Sequence, residues 1–311
     1  MPNPLHTLDP DQLLQITDLQ ILARTVVEGF LTGIHKSPYT GASIEFAQYR
    51  PYVQGDDPRF IDWSLYARTD RLRTKQFQKE TNLRSTILLD CSASMNYTSG
   101  NITKFHYARV LAACLAMLLI QQNDETGLIT FHESVDTFIP PRTHAKHLSR
   151  ILVALNNAEV QGQTDVVTAL KFIGDFFTHR GMIILISDFL SPLDTILPYI
   201  KQLRTQQHDL LLLQIADPAE QTFDFKKSAT FIDTESQKEL FVVPDYAREE
   251  YLANRHRHFE ALHRECATFE IAMDEFTITQ PFDRALHFFL QQRNRLLTST
   301  GVRRSSSTGG R

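Results

Sequence analysis

The sequence predicts an α/β fold, a doubly wound and mostly parallel sheet preceded by a helical and turn-rich N-terminal segment. Three observations predict it. Continuously apolar runs recur at Ser85-Thr-Ile-Leu-Leu-Asp90, Gly181-Met-Ile-Ile-Leu-Ile-Ser187 and Leu210-Leu-Leu-Leu-Gln-Ile-Ala216, as expected of strands buried on both faces. Segments of helical period separate them, the alternation that builds parallel sheets. The composition, 42% hydrophobic and 22% charged over 311 residues, is that of a globular chain able to bury a core without staples.

The elements follow in order. Leu13, Leu14, Ile16, Leu19, Leu22, Val26, Val27 and Phe30 are spaced as one face of a helix over 10–32. Residues 33–84 are turn-rich, aromatic and charged, with Gly33, Pro38, Gly41, Pro51, Gly55 and Pro58. After the strand ending at Asp90, an Ala- and Leu-rich helix is expected over 103–122. Short strands follow at 127–131 and 135–139, then helices at 144–156 and 165–178. Past the strand at 181–187, a helix is expected at 191–205. Its start signal is Ser191-Pro192-Leu193-Asp194: a cap, a proline and an acid. Residues 222–243 alternate as a small strand excursion. A charged helix at 245–265, a strand at 268–273 and a helix at 281–295 complete the domain. The expected organisation is an N-terminal helix and signature segment (1–84), an α/β domain (85–296) and a tail (297–311) whose Ser, Gly and Arg content predicts disorder.

Composition also excludes several classes. Net charge is −4, which gives no overall nucleic-acid or membrane signature. Three widely spaced cysteines, Cys91, Cys114 and Cys266, fit a reducing compartment rather than a disulfide framework. The N-terminus has no basic stretch followed by an apolar run, so no signal peptide is expected. The longest apolar run, Val110 to Ile120, falls short of the roughly 20 residues that span a bilayer. The expectation is a cytoplasmic protein with no membrane span.

In doubly wound sheets ligands bind beyond the carboxyl ends of the strands. The first strand ends in Asp90-Cys91-Ser92-Ala93-Ser94. The loop Gly162-Gln163-Thr164-Asp165 precedes a helix, and the strand at 181–187 ends in Ser187-Asp188. Asp90, Ser92, Ser94, Thr164 and Asp188 are hard oxygen donors, which suit Mg²⁺ or Mn²⁺. Neutral hydroxyls would leave such an ion electrophilic, and the two carboxylates could act through water. Plainer readings stand beside this one. Ser92 and Ser94 suit an ordinary turn, and Thr164 a cap for the helix beginning at Asp165. Asp188 follows a buried strand but is not needed as a cap.

The order and context of Asp90, Ser92, Ser94, Thr164 and Asp188 resemble the metal-ion-dependent adhesion site of von Willebrand factor A-like domains, which are Rossmann-type. The preceding run sharpens the resemblance. Ser37-x3-Gly41-x3-Glu45-Phe46-x3-Arg50-x-Tyr52-x2-Gly55-Asp56-Asp57-x-Arg59-x2-Asp62-Trp63-x3-Ala67-Arg68 resembles the signature of the bacterial family named only as domain of unknown function 58. Its members carry a von Willebrand A-like domain and are often encoded beside MoxR-type AAA+ ATPases. The resemblance covers roughly residues 33–240. It implies a non-enzymatic, metal-dependent binding module. Such a module would act with such an ATPase on other proteins, with an Asp or Glu of a client completing the metal's shell.

Other features weigh less. Arg50, Asp56, Asp57, Arg59, Asp62, Trp63 and Arg68 form a weak candidate partner surface, or a loop docked by Arg–Asp pairs and Trp63. The basic residues Arg68, Arg71, Arg73, Lys75, Lys79 and Arg84 could contact nucleic acid, though a solvated strand face or an acidic partner explains them better. His144-x-x-His147 has helical metal spacing but no third ligand. Cys91 is expected to point into the core. The alternative to a binding module is a metal-dependent hydrolase or phosphoryl transferase with Asp90 as nucleophile. Against it, Ser92 stands where a second Asp is usual, no lysine adjoins the site in sequence, and no phosphate-loop or G-x-S-x-G pattern is present.

Overall fold

The structure is a computed structural model that describes residues 18–36, 48–51, 66, 73–76, 83–177, 179–234 and 237–305. The chain divides into two compact units, Ile34–Thr81 and, together, Met1–Gly33 with Asn82–Arg311. In the smaller unit, β1 (Gln48–Pro51) pairs antiparallel with β2 (Arg73–Gln76).

The helix α1 (Leu19–Lys36), which belongs to the larger unit up to Gly33, begins at Asp18, whose carboxylate accepts the amides of Gln20 and Ile21 at 2.8 and 3.1 Å. Leu19, Leu22, Val26, Val27 and Phe30 are buried, as their spacing predicts. The expected start at residue 10 lies outside the described residues.

The sheet has six strands. They are β3 (Arg84–Asp90), β4 (Glu125–Phe131), β5 (Val135–Arg142), β6 (Met182–Ser187), β7 (Asp209–Ala216) and β10 (Ala272–Thr277). Their order is β10-β7-β6-β3-β4-β5. All neighbours are parallel except the edge pair β4–β5. This is the doubly wound, mostly parallel α/β class that the apolar runs predict. β8 (Ala229–Ile232) and β9 (Glu239–Val242) form a separate hairpin.

One face of the sheet carries α2 (Lys104–Gln121), which is buried almost all round. Among the described residues it is the one helix long and apolar enough to cross a membrane, and 78% of it is buried inside this unit. The apolar run read from the sequence is shorter because Lys104, His106 and Arg109 interrupt it. The helix α3 (Ala145–Asn157) follows β5. On the opposite face α4 (Val166–Phe176), α5 (Leu193–Thr205) and α7 (Pro244–Thr268) enclose one core with Leu88, Ile129, Phe131, Ile183, Leu185 and Leu212.

Several boundaries differ from expectation. The strand expected at 268–273 is Ala272–Thr277. Residues 268–271 instead close α7, with Glu270 left-handed at φ 54° and the Ile271 amide donating to the Cys266 carbonyl at 2.8 Å. That six-to-one bond is a Schellman ending. A short helix, α6 (Pro218–Thr222), was not expected; Asp217 and Glu220 form its capping box. The last helix, α8 (Phe282–Ser305), runs past the expected end at 295 and into the tail read as disordered. Extending an existing helix costs little per residue, so Ser and Thr there do not stop it.

Candidate functional site

Asp90 ends β3 and is fully buried. Its Oδ1 accepts the Ser92 amide at 2.9 Å, a local Asx turn that swings the chain out of the sheet. Its Oδ2 accepts the Ser187 hydroxyl at 2.6 Å. The Ser92 and Ser94 hydroxyls lie 3.1 Å apart. A 3₁₀ turn, Ala93–Asn96, then leads toward α2. Cys91 points inward as expected, its Sγ 3.6 Å from the Leu89 carbonyl oxygen, and burial pushes its thiol pKa well up.

The second loop is sewn to the first. The Ala93 amide donates to Gly162 O at 3.0 Å and the Gln161 amide to Cys91 O at 3.0 Å. Gly162 has φ +67°, and a Cβ there would sit 3.1 Å from the Glu133 carboxylate, so glycine serves twice. Thr164 lies between two anchored neighbours. The Gln163 amide donates to Glu133 Oε1 at 3.1 Å and the Asp165 amide to His132 O at 2.8 Å. The cap of α4 is Asp165, which accepts the Thr168 amide at 3.1 Å. Capping therefore falls to Asp165 and not to Thr164.

The third loop follows β6. Asp188 is 3% exposed. Its Oδ1 accepts the Leu190 amide at 3.3 Å and its Oδ2 the Lys104 ammonium at 2.9 Å. The next residue, Phe189, is left-handed at φ 54° and fully buried, a strained conformation for a bulky side chain. Its amide donates to Ser187 Oγ at 3.2 Å, and its carbonyl lies 2.8 Å from His258 Nε2 on α7. Ser191 is not the cap of α5; Pro192 occupies that position without a side-chain bond. The proline's fixed φ already suits a helix entry.

Two buried acids thus share this end of the sheet. Burial, and next the charge of Asp188, push the Asp90 pKa up to about 7, against the bonds from Ser187 and Ser92. Lys104, the first residue of α2, is itself fully buried. Its Nζ lies 2.9 Å from Asp188 and 2.6 Å from Glu220 Oε1. Burial disfavours the ammonium, but Asp188 and Glu220 outweigh it and hold its pKa above the usual lysine value. Glu220 is fixed in turn, its Oε2 accepting the Asp217 amide at 3.0 Å.

The five residues predicted from sequence all lie in these three loops. Their fit to a hard divalent ion follows from the donor set. The three loops carry three hydroxyls, of Ser92, Ser94 and Thr164, and two carboxylates, of Asp90 and Asp188, all of them hard oxygen donors. Among the described residues, no group of three or more His, Cys, Asp or Glu forms a metal cluster. His147 is held by the Thr126 carbonyl, 2.7 Å from Nε2. Ser187, Lys104 and Glu220 were not predicted as site residues. The Asp217-Pro218-Ala219-Glu220 capping pattern was a readable signal for Glu220.

Arg50 lies in β1, its Cα paired with that of Thr74. Asp56, Asp57, Arg59, Asp62, Trp63 and Arg68 lie outside the described residues. So do Arg71 and Lys79 of the basic run, while Arg84 pairs with Glu125 at 2.9 Å.

A family model described as "Protein of unknown function DUF58" matches residues 48–261. The chain is 26% identical over 215 residues to the Uncharacterized protein Rv1480 of Mycobacterium tuberculosis, covering 68% of this chain and 67% of that protein. Among solved structures it is similar to an aerotolerance-related membrane protein from Bacteroides fragilis. That match has 17% identity and TM-score 0.48, and covers 68% of this chain and 99% of the other. It is also similar to the VWA domain of SpRpn10, with 10% identity and TM-score 0.40 over 66% of this chain and 94% of the other.

Proposed function

This chain belongs to the DUF58 family, and from that premise we propose that it is a non-enzymatic, metal-dependent protein-binding module. It acts with a MoxR-type AAA+ ATPase in assembling or remodelling protein complexes. Asp90, Ser92, Ser94, Thr164 and Asp188 would hold Mg²⁺ or Mn²⁺, directly or through water, and an acidic residue of the client would complete its shell. One observation carries this reading. Backbone bonds at 3.0 Å from Ala93 and Gln161 lock two loops together, and the first of them carries the Ser92–Ser94 hydroxyl pair, 3.1 Å apart, directly after the buried Asp90 that accepts the Ser92 amide.

When bound, the ion supplies a Lewis-acidic seat for a carboxylate. The chain's residues prepare that seat. Ser92, Ser94 and Thr164 offer neutral oxygens, so positive charge is left over for an incoming acid. Asp90 and Asp188 stand behind and orient water. Turnover at Asp90 has less support. Both its oxygens already accept hydrogen bonds, its side chain is fully buried, and the neighbouring ammonium is committed to Asp188 and Glu220.

Calorimetric titration with MnCl₂ tests the reading. Wild type should bind one ion, and Ser94→Ala and Thr164→Ala should each weaken binding by about tenfold or more. Co-purification of a MoxR-type ATPase should be lost in EDTA and in Asp90→Ala. Affinity for the ion unchanged by these substitutions removes the metal site, and capture indifferent to EDTA removes the metal-dependent role.

A further inference from the structure

Lys104 is a cation already present at the candidate site. A lysine is almost never fully buried unless paired, and this one is paired twice, at 2.9 Å with Asp188 and 2.6 Å with Glu220. Neither partner can turn away easily. Asp188 is held by the Leu190 amide at 3.3 Å and Glu220 by the Asp217 amide at 3.0 Å. Asp217 is locked in its turn by the Ser99 amide at 2.8 Å and the Ser99 hydroxyl at 2.5 Å. The ammonium therefore stays beside Asp188, one of the two carboxylates available to a divalent ion.

We propose that Lys104 is an affinity-setting residue: its ammonium weakens the hold of Asp188 on a divalent ion, so that the ion is retained firmly only together with a partner's carboxylate. This rests on the metal-binding reading above. Two effects act in the same direction. The ammonium occupies Asp188 Oδ2, and it repels a second positive charge placed near the same carboxylate in a water-poor setting. An incoming Asp or Glu adds the negative charge that Lys104 offsets. Glu220 moderates the effect, because it shares the ammonium with Asp188. The two substitutions should therefore shift affinity in opposite directions, a pattern that simple structural damage does not produce.

Calorimetric titration with MnCl₂ alone, on the full chain, provides the test, with circular dichroism and thermal melts to verify folding. Lys104→Met should raise Mn²⁺ affinity about tenfold or more, and Glu220→Gln should lower it severalfold, because the ammonium then acts on Asp188 undivided. Saturating acetate, as a free carboxylate probe, should tighten Mn²⁺ binding more in wild type than in Lys104→Met. If wild type binds Mn²⁺ and a folded Lys104→Met binds it equally or less well, the affinity-setting role is overturned while the metal reading stands. If neither wild type nor Lys104→Met binds, the metal reading itself has failed, and this inference with it. Should Lys104→Met not fold, Glu220→Gln decides: affinity unchanged or raised overturns the role, and affinity lowered supports it.

Discussion

Ser187 donates its hydroxyl proton to Asp90 Oδ2 at 2.6 Å, joining the ends of the two central strands β6 and β3. The bond belongs to a polar row across the sheet. Ser187 pairs in register with Gln214, and Gln214 with Glu275. Gln214 is 1% exposed and its Oε1 has no partner among the described residues. A strip this polar inside an otherwise Leu- and Ile-rich sheet costs stability; Glu275 at one end is paired with Arg255, whereas Asp90 at the other is fully buried.

That cost should depend on pH. The folded-state pKa of Asp90 is raised from 3.8 to about 7. Stability from the protonated form is thus fully present below about pH 4 and is lost as pH rises through about 7. Asp90→Asn stays neutral throughout. In EDTA, the variant should gain on wild type by a few kcal/mol between pH 4 and 8. Urea midpoints across that range measure it. A constant difference would mean that Asp90 titrates as an ordinary carboxylate.

Ser187→Ala removes one of the hydrogen bonds that make the charged form of Asp90 tolerable. A hydrogen bond to a charged group contributes roughly 1.5–3 kcal/mol. The variant should lose about that much at pH 8 and clearly less at pH 4, where Asp90 is protonated. Equal losses at both pH values would assign Ser187 to packing alone.

Much of this end of the sheet was legible in the sequence, because unbroken apolar runs such as 182–187 and 210–216 have no other stable home than a sheet covered on both faces. Strand ends then located Asp90 and Asp188 without any structural input. Other features were not legible, for physical reasons. Lys104 in a first helical turn looks like any solvated lysine; its burial arises only where β6, α2 and α6 meet. Thr164 and Asp165 are adjacent and both suit a cap, and local sequence does not rank them. The strand 272–277 carries Asp274 and Glu275, which mask its apolar character, and the Schellman ending of α7 has Glu270 where glycine is usual.

The buried ion pair between Arg293 and Asp124 fixes the last helix to the sheet. Arg293 Nε and Nη2 lie 2.9 and 2.8 Å from Asp124 Oδ2, and the Leu83 amide donates to Oδ1 at 3.1 Å. Arg293→Ala strands a fully buried carboxylate, so it should cost about 3–5 kcal/mol at neutral pH. In an Asp124→Leu background the same substitution should cost far less. Burial, though opposed by Arg293, holds the Asp124 pKa above the usual value, so part of the Arg293→Ala penalty should be relieved at low pH by protonation. Additive losses in the double variant would show the pair to be uncoupled.

Three helices turn into strands through left-handed residues that are not glycine. Asn123, Gln207 and Glu270 have φ of 59°, 69° and 54°. At each, the following amide donates six-to-one, Asp124 to Leu119, His208 to Leu203 and Ile271 to Cys266, at 3.0, 3.1 and 2.8 Å. A β-carbon makes the left-handed region costly by roughly 1–2 kcal/mol, and asparagine suffers least. Glycine removes that strain but adds freedom to the unfolded chain, which takes back part of the gain. Gln207 is exposed, so its side chain gives up little packing. Gln207→Gly should therefore stabilise the protein by about 0.5–1 kcal/mol, Asn123→Gly by less, and Gln207→Ala by nothing, since its β-carbon remains. Urea midpoints of the three variants decide the matter, and a Gln207→Gly variant no more stable than Gln207→Ala would show that the turn is not strained at that residue.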